Sequence, residues 1–236
     1  MRANEFLAEL DPGFVNGEIR AQNANKSKAV WKHKGRGATA SVWQHFDDPT
    51  TVVKVVGGGE YESFQHERGS TLAFVHFCVD HGWQSPHFPI IHGINVDDDE
   101  VLQVRIESLK ELGDDIAYSC SSLANDVKYQ RSEQNIKMSM DELQNSLMDK
   151  RKRYRKQNSA QSILKAIQLL YRAIPVYAEA HGLPELRLDL HAGNWLARPN
   201  GVVVAADPWY CNTSYADRPN GGDSDDETDR STSKSF

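Results

Sequence analysis

The rhythm of apolar and polar positions changes several times along the chain, and each change marks an element. Between Ala29 and Val56 the texture is that of strands: Trp31, Val42 and Trp43 lie around a glycine-rich turn. Thr51-Val52-Val53-Lys54-Val55-Val56 is a nearly unbroken β-branched run, the composition that suits a pleated, well-covered strand. Gly57-Gly58-Gly59 interrupts it. Glu60 to Asp80 then reads as a helix, with Phe64, Leu72, Val75 and Val79 as its inward residues and Gly82 and Pro86 as its stop. Ile90–Val96 and Val101–Ile106 read as two strands around an acidic turn, Asp97-Asp98-Asp99. Residues 113–158 are polar and poorly periodic in their first half, with a helix expected from Ser139 to Tyr154. The strongest helical rhythm runs from Ala160 to His181, where Ile163, Ile167, Leu170, Ile174 and Tyr177 recur at steps of three and four. Pro175 is expected to kink this helix, and Gly182 and Pro184 to end it. Residues 1–28 form a polar extension with weak helical character near Glu5 to Leu10, and the Ser-, Asp- and Gly-rich stretch 212–236 is expected to be a disordered acidic tail.

Composition narrows the class. The 236 residues suffice for one two-lobed unit. A net charge of -6 gives no general attraction to nucleic acid or to an anionic membrane. The basic run Lys150 to Lys156 is read as a solvated helix face, and no specific nucleic-acid partner is expected. No apolar stretch approaches the roughly 18 residues needed to span a bilayer. The start, Met1-Arg2-Ala3-Asn4-Glu5, lacks the features of a signal peptide. Three cysteines, Cys78, Cys120 and Cys211, fit neither a disulfide framework nor a metal site, so a reducing cytoplasm is the expected setting. His76, His81, His87 and His92 show no metal pattern and are read as structural.

The candidate chemistry lies near the C-terminal end of this order. Asp189-Leu190-His191-Ala192-Gly193-Asn194 is followed by Asp207, a D-x4-N-x12-D spacing with apolar residues before each part. Such spacing suits a catalytic loop joined by a short hairpin to a metal-binding aspartate. Asp189 would orient the attacking hydroxyl and accept its proton. Asn194 and Asp207 would hold Mg²⁺ against the phosphates of ATP, because that ion prefers hard oxygen ligands. His191 would contact the transferred phosphoryl group when protonated, or steady the loop. Upstream, Gly35, Gly37 and Val42 belong to a glycine turn whose small residues let backbone N–H groups approach phosphate. Lys54, twelve residues past Val42, would contact the phosphates and pair with a helix glutamate. Among Glu60, Glu62 and Glu67 the choice falls on Glu67, the one furthest into the helix. Glu107 and Leu109, where a strand gives way to a polar segment, mark the edge that would present backbone groups to adenine.

Glycine turn, strand with lysine, helix, two strands, long helix, aspartate loop and hairpin follow in the order of a protein-kinase-like fold. The expected class is α+β, with a small antiparallel sheet lobe at 29–109 and a truncated, mostly helical lobe at 110–211 that includes an inserted segment, 113–158. Leu188-Asp189-Leu190-His191-Ala192-Gly193-Asn194 with Ala206-Asp207-Pro208, together with Val53-Lys54-Val55 and Val104-Arg105-Ile106-Glu107, resembles the kinase domain of the early serine/threonine protein kinases of T7-like bacteriophages. That resemblance implies ATP- and Mg²⁺-dependent phosphorylation of host proteins in the bacterial cytoplasm, the transcription or translation machinery among them. Leu188 stands where many protein kinases carry arginine, Asp207-Pro208-Trp209 replaces Asp-Phe-Gly, and no Ala-Pro-Glu follows. Two other readings stand beside this one. The first is a small-molecule phosphotransferase of the aminoglycoside or choline kinase type, which shares D-x4-N…D and often has histidine two residues past the aspartate. The second is a non-catalytic kinase-like inhibitor of a host protein, against which the joint presence of Lys54, Asp189, Asn194 and Asp207 argues. The oligomeric state is left open.

Overall fold

The computed structural model describes residues 31–36, 40–57, 62–96, 101–149 and 158–211. The polar extension, Gly37, Glu60, the Asp97–Asp99 turn, the basic run from Lys150 and the acidic tail lie outside these residues.

Five strands form one antiparallel sheet: β1 (Trp31–Arg36), β2 (Ala40–His45), β3 (Thr51–Val56), β4 (Ile91–Val96) and β5 (Leu102–Glu107), in the order β1-β2-β3-β5-β4. β3 is central, pairing Val42 with Lys54 on one side and Lys54 with Val104 on the other. Successive side chains of a strand face opposite ways, which explains why both phases of the Val-rich β3 are apolar. Val53 and Val55 join Trp31, Val101 and Trp43 on one face. Val56 joins Leu102, Val104 and Val75 of the first helix on the other.

That helix, α1 (Glu62–His81), is clamped between the sheet and the helical lobe. Its buried residues include Ala73, Phe74, Val75, Phe77 and Cys78; of the residues expected inward, Val75 is buried, Leu72 packs half-buried against the sheet cluster, Val79 is half-buried, and the Phe64 side chain lies outside those described. A helix covered on two sides has no single apolar stripe. The expected helix at Ser139–Tyr154 is also revised, because residues 114–149 hold two helices, α2 (Asp114–Lys128) and α3 (Glu133–Asp149). Ile116, Cys120, Leu123 and Val127 of α2 and Leu143 and Leu147 of α3 are core residues. The segment read as an insertion is thus part of the main hydrophobic core.

The helix α4 (Ala160–His181) matches its sequence signal, with Ile163, Ile167, Leu170 and Tyr177 buried. Ser159 caps its start by accepting from the Ser162 N–H, and Gly182, at φ 63°, ends it in the left-handed conformation that glycine adopts without strain. Pro175 lies inside an uninterrupted helix. Beyond it come β7 (Leu186–Leu188), a hairpin of β8 (Trp195–Ala197) and β9 (Val203–Ala205), and β10 (Trp209–Cys211), which pairs back onto β7. The two-residue β6 (Lys110–Glu111), just past the end of the sheet lobe, pairs with β8. This is an α+β, protein-kinase-like arrangement of an antiparallel sheet lobe and a helical lobe. No helix among the described residues is long and apolar enough to cross a membrane.

Candidate active site

Lys54 points from β3 toward α1 and the junction of the lobes. Its side chain is 12% exposed, and its Nζ lies 2.7 Å from Asp207 Oδ2 and 3.5 Å from Glu67 Oε1. It also donates to Thr71 Oγ1 at 3.2 Å. Glu67 and Thr71 are four residues apart on α1, so one helix face supplies both partners. Burial by itself would push the Lys54 pKa down, but Asp207 and Glu67 outweigh it and hold the ammonium form above its usual value. Glu67 is shifted upward by burial, reinforced by the neighbouring Asp207 and Asp189 charges and opposed by Lys54. Beside Lys54 a small, partly open hollow is lined by Thr71, Phe74, Val104, Ile106 and Asp207.

Backbone hydrogen bonds gather the remaining groups. β7 and β10 lie side by side, and the Asp189 N–H donates to the Pro208 carbonyl at 2.7 Å. The β8–β9 hairpin brings the Ala206 N–H to the Asn194 carbonyl at 2.9 Å. Asn194 Nδ2 donates to the Asp189 carbonyl at 2.6 Å. Asp189, Asn194 and Asp207 are thereby stitched into one patch. The loop is also tied to the core, since Leu190 is buried and its carbonyl accepts from the Ser121 hydroxyl of α2 at 2.7 Å. The Asp189 side chain is 39% exposed and that of His191 62%. His191 Nδ1 accepts from the Gly193 N–H at 3.1 Å. In the neutral ring the proton is then on Nε2, 3.9 Å from Asp189 Oδ2. Gly193 packs closely under this ring: a Cβ there would lie 3.0 Å from His191 Cε1 and push the ring aside.

The donor set fits a hard divalent cation. Asn194 has committed its Nδ2, which leaves its Oδ1 as the available atom, and Asp207 supplies a carboxylate. Among the described residues no group of three or more His, Cys, Asp or Glu side chains is arranged to hold a metal. Mg²⁺ does not need such a group, since it is commonly held by one or two carboxylates, waters and substrate phosphates.

The structure thus brings together Lys54, Glu67, Asp189, Asn194 and Asp207, with His191 beside them. Val42 flanks Lys54 on β2 and Gly35 pairs with Val42, in open space. Gly37 is outside the described residues. Leu109 is half-buried just past β5. At this edge the Glu107 carboxylate is engaged by Arg198 and by the Ile90 N–H, and its own N–H donates to the Ile90 carbonyl. Sequence reading missed Thr71, Ser121 and Arg198. Thr71 had a signal, the four-residue step from Glu67, whereas Ser121 and Arg198 are joined to the site only by the fold.

No protein-family model matches the chain, and no curated protein matches it in sequence. Solved structures that it resembles include the aminoglycoside phosphotransferase APH(2'')-Ib bound to ADP, at 13% identity over 83% of this chain and 71% of that one, with a TM-score of 0.34. The streptomycin–ATP ternary complex of APH(2'')-IIa aligns at 13% identity over 83% and 71%, with a TM-score of 0.33. The GDP complex of aminoglycoside 2'-phosphotransferase-IIIa aligns at 15% identity over 85% and 71%, with a TM-score of 0.36. Likeness at this level carries no weight for function.

Proposed function

We propose that this protein transfers the γ-phosphoryl group of ATP, with Mg²⁺, to a serine or threonine hydroxyl of a protein. The observation that carries the reading is the meeting of Lys54, Glu67 and Asp207 across the lobes with Asp189 and Asn194 immediately beside them. No packing requirement explains two acids converging on a mostly buried lysine, since buried charge is costly unless paired. In this reading Lys54 holds the phosphates and Glu67 keeps its ammonium in place. Asp189 aligns the acceptor hydroxyl and takes its proton as the bond to phosphorus forms and the bond to the ADP oxygen breaks. Mg²⁺, held by Asn194 and Asp207, would neutralise charge on the phosphates. His191, its Nε2–H turned toward Asp189, is placed to contact the transferred group.

Exposure supports the choice of acceptor class. Asp189 and His191 open to solvent on a surface loop, which suits a hydroxyl carried on a protein segment. The resemblance to phage kinases supports the same class and suggests host proteins as acceptors. Transfer from γ-labelled ATP to proteins of a bacterial lysate, with Asp189→Ala as control, tests the reading. Labelled protein bands that the substitution abolishes, while it retains nucleotide binding, are the expected result. A lysate labelled only in its small-molecule fraction would transfer the reading to the aminoglycoside or choline kinase type, and full activity in Asp189→Ala would refute the role of that carboxylate.

A further inference from the structure

Arg198 lies in the turn between β8 and β9, on the far side of the hairpin from Asn194 and Asp207. It reaches across to the end of β5. Its Nε donates to Glu107 Oε2 at 2.7 Å and its Nη2 to Glu107 Oε1 at 2.6 Å. Nη1 donates to the Pro86 carbonyl, and Nη2 also to the Phe88 carbonyl at 2.8 Å. Glu107 Oε1 accepts in addition from the Ile90 N–H at 2.9 Å. Both side chains are nearly buried, at 14% and 12% exposure. One guanidinium therefore ties the α1–β4 connection and the strand leading out of the sheet lobe to the hairpin that carries the proposed metal ligands. A planar fork with five N–H donors is suited to such a node, and a lysine has no equivalent.

A second link between the lobes is the Lys54–Asp207 contact at the front of the cleft. That contact must open for phosphates to enter between the two charges. The Arg198 node lies at the back, engages only protein groups and can persist.

We propose that Arg198 and Glu107 form the fixed pivot about which the cleft opens, making Arg198 a positioning residue for nucleotide binding. The nucleotide part of this inference rests on the phosphotransferase reading; the pivot itself does not. With the pivot intact, breaking Lys54–Asp207 lets the lobes swing along one path and return to one geometry. Without it, the competent geometry is one among several. Apparent affinity then falls in proportion to the fraction of molecules that remain competent.

The test uses Arg198→Met, which removes the node, and Arg198→Lys, which keeps the charge without the fork. Spin labels at His92→Cys on β4 and Lys137→Cys on α3, both exposed sites, are introduced in a Cys211→Ser background, Cys78 and Cys120 being buried. Pulsed electron resonance should give a narrow inter-lobe distance distribution in the parent protein. It should broaden in Arg198→Met and fall between the two in Arg198→Lys, each with its far-UV circular dichroism preserved. The dissociation constant for Mg·ATP should rise about tenfold in Arg198→Met, as expected if the competent fraction falls to about one in ten. A lowered melting temperature with unchanged distance distribution and unchanged nucleotide affinity would reduce Arg198 to a structural residue and overturn the proposal. A parent protein that fails to bind Mg·ATP, but whose distances still depend on Arg198, would refute the phosphotransferase reading and leave the pivot standing.

Discussion

Replacing Glu67 by glutamine should separate the chemistry of the site from the stability of the fold, and pH is the variable that shows it. The carboxylate lies 3.5 Å from Lys54 Nζ with 23% of its side chain exposed. Two unit charges at that distance attract by about 5 kcal/mol at an effective dielectric constant of about 20. Desolvation removes much of this, and a hydrogen bond to a charged group nets about 1.5–3 kcal/mol. Glutamine keeps the shape and loses the charge. Lys54 then has Asp207 as its only acidic partner among those described and competes there with the incoming metal. The expected loss in kcat/KM for Mg·ATP is roughly 10- to 150-fold at neutral pH. Because Glu67 titrates above its ordinary 4.5, the wild-type protein should lose the same interaction on mild acidification, at higher pH than an ordinary carboxylate would require. Stability runs the other way. A raised folded-state pKa makes a contribution that is fully present below the unfolded value and is lost as pH rises through the folded one. Acidification should therefore weaken nucleotide handling while the Glu67 contribution to folding improves. The assay is kcat/KM for Mg·ATP from pH 5 to 8, with melting temperatures in the same buffers. A Glu67→Gln protein that keeps the wild-type acid limb would refute the reasoning.

Two further outcomes are expected. Ser121→Ala should leave the buried Leu190 carbonyl without its donor, at a cost of about 1–3 kcal/mol; the melting temperature should fall and kcat should drop more than nucleotide affinity, because the loop of Asp189 loosens while Lys54 stays in place, and equal losses in both would contradict this. His87 is fully buried, its Nδ1–H donating to the Val203 carbonyl at 2.8 Å and its Nε2 accepting from Ser162 at 2.9 Å. Burial depresses its pKa, with Arg198 acting in the same direction and the Val203 carbonyl opposing, so its contribution is present above about pH 6.5 and lost as pH falls through the lower folded value. The melting temperature should decline on acidification, less steeply in His87→Gln, and parallel curves would remove His87 as the cause.

What could be read in the sequence was whatever a local pattern encodes. Strand β3 announces itself through six β-branched or lysine positions, and α4 through its apolar stripe and its glycine stop. Lys54, Asp189, Asn194 and Asp207 are legible because their spacing reflects the fixed lengths of the strands and turns between them. Helix α2 was obscured because it faces α3 through polar groups: Ser119 meets Ser146, and buried Asp126 accepts from Ser139 at 2.6 Å. The step Ile116, Cys120, Leu123, Val127 was present but diluted by these serines. In helix α1 periodicity found Val75 and Leu72 on the sheet side but not Phe74 and Phe77, because the helix is covered from two sides. Arg198 carried no signal at all, since its importance lies in meeting Glu107 some ninety residues earlier in the chain.

The fastening of α1 has a consequence for control. In protein kinases the position of the corresponding helix, and with it the lysine–glutamate pair, is what activation sets. Here Phe74 and Phe77 pack against Trp209, and Phe77 against Tyr177. His76 meets His181 at 3.1 Å, and Gly69 leaves Leu183 so close that a Cβ would come within 2.8 Å of its Cδ2. To swing α1 outward would strip an aromatic cluster from the helical lobe and break the core itself. The helix is thus held against the helical lobe by the same contacts that close that lobe's core. Packing that stabilises the helical lobe therefore also keeps the Lys54–Glu67 pair assembled.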